Sequence, residues 1–215
     1  MVAEEAPEPR QEAVFQGCYS RDVLSAVIPL YFPEGPILDC TWGKGAFWAD
    51  DLRSRVTGCD IQARYGCHIQ ADARHLPFKD KAFGLVIFDP PHLHDVGHNA
   101  GTRLGADYAY LKSQAQIHAL YRDAAPELRR VATNGAVLKI TDMIESGRFI
   151  PTHIMVAAAL CPVLGWPCDL AILNSGVIRP SRPARVLHLR HAHSYFLIYR
   201  WADRTPRHGF KGLLA

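Results

Sequence analysis

The apolar run Gly84-Leu85-Val86-Ile87-Phe88 ends abruptly in Asp89-Pro90-Pro91-His92. A continuous run of that kind, closed by prolines, reads as a parallel strand buried on both faces. Neither proline has a backbone N–H, so the chain there neither extends a sheet nor opens an ordinary helical turn. The expectation is a rigid corner holding a carboxylate, free carbonyls and an imidazole ring at the carboxyl end of a strand. In open α/β sheets that end is where ligands bind. A flat group with N–H donors matches such a corner, and the exocyclic amino group of a nucleobase has both properties.

Three upstream segments extend the pattern. Pro36-Ile37-Leu38-Asp39-Cys40-Thr41-Trp42-Gly43-Lys44-Gly45-Ala46-Phe47-Trp48 reads as a strand, a glycine turn and a helix start. Glycines there let the backbone approach a ligand closely. Val56-Thr57-Gly58-Cys59-Asp60 is a second short strand ending in a carboxylate, placed where a doubly wound fold hydrogen-bonds a ribose. A third acid, Asp72, followed by Ala73, precedes the strand that leads into Asp89. The pyridine-nucleotide pattern Gly-x-Gly-x-x-Gly is broken, because its third position is Trp48.

This ordered series resembles the class I S-adenosylmethionine-dependent methyltransferases, in particular the amino-methyltransferases with a (D/N/S)PP(Y/F/W/H) motif. The resemblance spans residues 18 to 201. It implies a Rossmann-like, doubly wound α/β sheet of seven strands, mostly parallel with an antiparallel C-terminal strand. It implies S-adenosyl-L-methionine as cofactor, with Asp39, Gly43 and Gly45 along its methionine part and Thr41 and Trp42 in the same turn. Asp60 would bind the ribose hydroxyls, and Asp72 with Ala73 would face the adenine amino group. Asp89 and the Pro90 carbonyl would accept hydrogen bonds from the target amine, Pro91 would stiffen the corner, and His92 would stack on the target base. The turn departs from many relatives in carrying Cys40-Thr41-Trp42, where they have proline and small residues. Near the end, His193 followed by Ser194 and Tyr195 resembles the start of the family's last strand, which implies that His193 and Tyr195 shape the target-base pocket. Phe196 and Ile198 read as core.

Charge is unevenly placed. Residues 179–215 hold eight Lys/Arg and one acid, Asp203, whereas the first 178 hold sixteen Lys/Arg against twenty acids. Such a basic segment suits a phosphate backbone. Nucleic acid is therefore the expected partner, with DNA favoured over RNA. Asp in the first motif position points by resemblance to N6 of adenine. Methylation of RNA at adenine N6 or guanine N2, cytosine N4 in DNA, a nucleic-acid-binding module without transfer, and a small-molecule or protein amine substrate are the alternatives. Arg103, in the glycine-rich loop 93–108, is a candidate phosphate contact within a segment suited to closing over a substrate.

The remaining expectations are organisational. Residues 1–13 read as a disordered acidic tail and 14–215 as one methyltransferase domain with a basic C-terminal segment. No signal peptide or membrane-length apolar stretch is visible, and six cysteines lie without a CxxC pair, which points to the cytoplasm. No metal is expected, since Asp95 and His98 are out of register for a hydrolase-type His/Asp site. Helices are expected over 21–31, 113–131 (with Pro126 as a kink or break) and 152–160. Strands are expected near 36–40, 56–60, 84–89, 136–141, 168–173 and 194–200, with Asn134-Gly135 as a turn and 142–151 as a loop.

Overall fold

The computed structural model describes residues 19–63, 66–91, 111, 113–145, 148–174 and 193–201. Its centre is a seven-stranded sheet in the order β3-β2-β1-β4-β5-β9-β8. The strands are β1 (Ile37–Asp39), β2 (Val56–Asp60), β3 (Ile69–Gln70), β4 (Phe83–Phe88), β5 (Ala132–Ile140), β8 (Asp169–Asn174) and β9 (His193–Arg200). Pairings β1–β2, β1–β4, β2–β3 and β4–β5 are parallel, whereas β9 runs antiparallel to both β5 and β8. This is the expected doubly wound sheet, mostly parallel with an antiparallel C-terminal strand.

Every residue of β4 is buried, which is why it reads as an uninterrupted apolar run. One face of the sheet packs against α3 (Gln114–Val131) and α4 (Thr152–Leu164), with Val86, Phe88, Leu138 and Leu197 meeting Ile117, Tyr121, Leu128 and Leu160. The other face packs against α1 (Ser20–Tyr31), where Ile37, Leu85, Val137 and Phe196 meet Val23, Leu24 and Ile28. In α3 the buried residues Ile117, Tyr121, Ala124 and Leu128 recur at helical spacing, and the Ser113 hydroxyl accepts from Gln116 N–H as an N-cap.

Several local expectations are corrected. Pro126 does not interrupt α3. It sits on the exposed side of the helix, away from the core. Asn134-Gly135 is not a turn but lies inside β5. A Cβ on Gly135 would meet the Tyr199 carbonyl oxygen at 2.0 Å and the Phe32 ring at 2.6 Å, so the glycine serves close packing. No helix starts at Ala46; the chain makes irregular turns as far as α2 (Asp50–Arg53). The region expected as a loop contains a hairpin, β6 (Met143–Glu145) with β7 (Arg148–Ile150). The acidic tail, the 93–108 loop and, apart from 193–201, the basic segment lie outside the described residues.

Candidate active site

Three parallel strands deliver carboxylates to one edge of the sheet. Register places Asp39 beside Gly58 of β2 and Ile87 of β4, so Asp39, Asp60 and Asp89 all arrive at neighbouring strand ends. Between this edge and α3 lies a cavity of about 340 Å³. Thr41, Gly43, Asp60, Asp72, Ala73, Asp89, Pro90 and Pro91 line it, together with Phe88, Leu111 and Leu120. Eight of the residues singled out from sequence are thus brought to one cavity. His92 and Arg103 lie outside the described residues.

Backbone donors organise the carboxylates. Asp60 Oδ2 accepts from Gly43 N–H at 2.8 Å and its Oδ1 from Gln62 N–H at 2.9 Å. The N–H of Gly43 is turned toward Asp60 by a left-handed backbone, φ +52°, which glycine adopts without strain. Asp72 is held differently: Arg74 Nη2 lies 2.6 Å from its Oδ2, and this guanidinium keeps the carboxyl below its usual range. Arg130 pins the connection behind it by donating to the carbonyls of Leu76 and Phe78 and to Glu127.

Asp39 and Trp42 are buried and do not border the cavity. Asp39 is 1% exposed and accepts from Thr41 N–H at 3.0 Å and from the Trp48 indole at 2.8 Å. Burial lifts its carboxyl to about 7 against these hydrogen bonds, with smaller contributions from Asp89 and Asp60. Asp39 therefore shapes the turn from beneath. Trp42, expected along the cofactor, is corrected to a core residue: its ring fills the space over Gly45 and Gly58, where an added Cβ would meet it at 2.6 and 2.3 Å. Gly45 is required by that packing and does not line the cavity.

His193 and Tyr195 also stand apart from this cavity, in a polar cluster on the α4 face. Tyr195 stacks on His153 with centroids 3.9 Å apart, and His193 Nε2 shares a 2.7 Å hydrogen bond with the Tyr195 hydroxyl. His153 Nδ1 in turn donates to Asp142 Oδ1 at 2.7 Å. Burial, followed by Asp142, raises the Tyr195 phenol above its ordinary value. Sequence reasoning missed Asp142 and His153, although a carboxylate just past a parallel strand is the signal that singled out Asp60 and Asp89.

It also missed Lys139. This lone cation in the apolar strand Ala136-Val137-Leu138-Lys139-Ile140 places Nζ 3.1 Å from Asp89 Oδ2. Charges in such strands are almost always paired, and that rule was available from sequence. Phe196 and Ile198 are core residues, 0% and 1% exposed, as expected.

Among the described residues the glycine turn does not open a helix, and α2 beyond it has only four residues, so the turn lacks the long following helix whose N-terminus holds a pyrophosphate in other nucleotide-binding folds. Acids dominate the sheet edge instead, which suits a cationic group.

No family model and no curated protein matches the chain. Solved structures do. The 1,6-didemethyltoxoflavin-N1-methyltransferase of Burkholderia thailandensis, bound to S-adenosylhomocysteine, aligns over 86% of this chain and 80% of its own, with 14% identity and a TM-score of 0.50. A SAM-dependent methyltransferase from Methanosarcina mazei aligns over 81% and 96%, with 13% identity and a TM-score of 0.46. A chain of the E. cuniculi Mtq2–Trm112 complex aligns over 84% and 92%, with 15% identity and a TM-score of 0.47. Together with the strand order, the first of these shows that the chain has a class I methyltransferase-like fold. Among the described residues, no helix is long and apolar enough to cross a membrane.

Proposed function

We propose that this chain is an S-adenosylmethionine-dependent methyltransferase acting on an exocyclic amino group of a nucleobase, with N6 of adenine in DNA as the leading target. One observation carries the reading: Asp89-Pro90-Pro91 and Asp60 border the same cavity. A proline-stiffened carboxylate for an amine and a ribose-type carboxylate for a nucleoside thus share one space.

The residues present fit such a cofactor. All of Asp60, Asp72, Ala73, Phe88, Leu111 and Leu120 border the cavity. In this reading Asp60 would accept from vicinal hydroxyls, Asp72 and Ala73 would meet an adenine edge, and the three apolar side chains would wall a flat ring. When bound, S-adenosylmethionine supplies a methyl group activated by a positive sulfur. Asp89 and the Pro90 carbonyl then accept the two N–H bonds of the target amine. Those hydrogen bonds favour a pyramidal nitrogen with a localised lone pair. Alignment contributes more than a strong base in such a transfer, and the nitrogen sheds one proton to water afterwards. On duplex DNA the base has to leave the stack, and His92 is proposed to replace part of the lost stacking. The basic C-terminal segment supports a polynucleotide partner.

The test is transfer of labelled methyl groups to duplex DNA, single-stranded DNA and structured RNA at several salt concentrations. Salt-sensitive labelling of DNA supports the reading. Labelling of RNA alone moves the substrate class, and labelling of small amines alone removes nucleic acid from it.

A further inference from the structure

We infer that Lys139 is a positioning residue for methyl transfer: it fixes the orientation of the Asp89 carboxylate and ties it to the turn after β1. The inference rests on the amine-transfer reading of the Asp89 corner. Lys139 leaves β5 on the side facing that corner, with Nζ 3.1 Å from Asp89 Oδ2. Both side chains are largely buried, at 16% and 14% exposure. The same ammonium lies 5.1 Å from the centroid of the Phe47 ring, within cation–π range. Its backbone is anchored as well, because the buried Tyr121 hydroxyl donates to the Lys139 carbonyl.

Stability does not account for a cation here. Desolvating a lysine and a carboxylate offsets most of their attraction, and an apolar side chain of similar length commonly holds a strand equally well. What the pair does provide is direction. Thr41 Oγ1 accepts from the Asp89 N–H at 2.7 Å, so the backbone of Asp89 is fixed from one side. Lys139 fixes its side chain from the other. Phe47 and Thr41 both belong to the turn after β1, so the amine acceptor is referenced to the turn that borders the cofactor cavity. A displacement of about 1 Å in a reacting group costs on the order of 100-fold in rate, so this reference bears directly on transfer.

The experiment compares wild type, Lys139→Met and Lys139→Arg in single-turnover methyl transfer to DNA, with S-adenosylmethionine affinity measured by calorimetry. Lys139→Met is expected to slow transfer about 10- to 100-fold with cofactor affinity within about twofold of wild type. Lys139→Arg is expected to recover much of the rate. Transfer by Lys139→Met at the wild-type rate, or loss of rate and cofactor affinity in proportion, overturns the inference. A wild-type protein inactive on every polymer counts against the amine-transfer reading instead. In that case the carboxyl carbon resonance of Asp89, assigned by its disappearance in Asp89→Asn, decides: it should move in Lys139→Met and stay in Lys139→Arg. A resonance unmoved in Lys139→Met overturns the inference independently of activity.

Discussion

The backbone N–H of Asp89 donates to Thr41 Oγ1 across 2.7 Å, so the corner after β4 is held by the turn after β1. Thr41→Val keeps the shape but leaves that N–H without its acceptor in a part-buried position, at a cost of about 1–3 kcal/mol. Chemical denaturation should show that loss, and transfer should slow by more than cofactor affinity weakens. Thr41→Ser, which retains the hydroxyl, should behave as wild type in both assays.

Asp39 predicts a pH dependence of stability. Its carboxyl titrates near 7 in the folded chain because burial disfavours the charge, whereas the unfolded value is an ordinary carboxylate's. The folded state therefore binds the extra proton, and the stability it brings is complete below about pH 4 and lost as pH rises towards about 7. Melting curves at pH 5.5 and 8 should show wild type losing more stability than Asp39→Asn over that interval. An equal loss in both proteins would remove Asp39 as the source.

Trp48 tests the same carboxylate from its partner's side. Trp48→Phe removes the indole donor 2.8 Å from Asp39 Oδ2 and leaves that oxygen buried without it. The expected loss is about 1–3 kcal/mol at pH 8 and smaller at pH 5.5, where Asp39 is largely protonated. A pH-independent loss would assign the effect to packing alone.

These residues show how much was legible beforehand. The sheet was readable because β1, β2 and β4 are short apolar runs closed by Asp39, Asp60 and Asp89, and because the middles of β5 and β9 are apolar. Asp60 and Asp89 were singled out as strand-end carboxylates, and both border the cavity, whereas Asp39, also at a strand end, is buried and holds the turn. Trp42 was misplaced because its environment is made by Gly58, distant in sequence, whose missing side chain admits the ring. Lys139 and Asp142 carried a sequence signal, a lone charge in an apolar strand and an acid just past one, that was passed over, whereas His153 was missed because it is marked only by a tertiary partner, Asp142. Gly135 was misread for the same reason, since Asn-Gly signals a turn locally whereas the close approach of Tyr199 and Phe32 decides.

Gly135 accordingly yields a prediction about folding. Gly135→Ala places a Cβ 2.0 Å from the Tyr199 carbonyl oxygen in the β5–β9 ladder, where backbone has to move. The variant should lose about 3 kcal/mol or more, seen as insolubility or a melting temperature lowered by several degrees. A well-folded variant at wild-type melting temperature would mean that β5 and β9 lie further apart than described.

The central claim is that Asp89 presents a target amine to a methyl donor held beside Asp60. Its most direct test is mass spectrometry of nucleosides from DNA incubated with S-adenosylmethionine and wild type, Asp60→Ala or Asp89→Ala. The account predicts N6-methyldeoxyadenosine with wild type, product from Asp60→Ala only at raised cofactor concentration, and none from Asp89→Ala despite retained cofactor binding. Undiminished product from Asp89→Ala would contradict it.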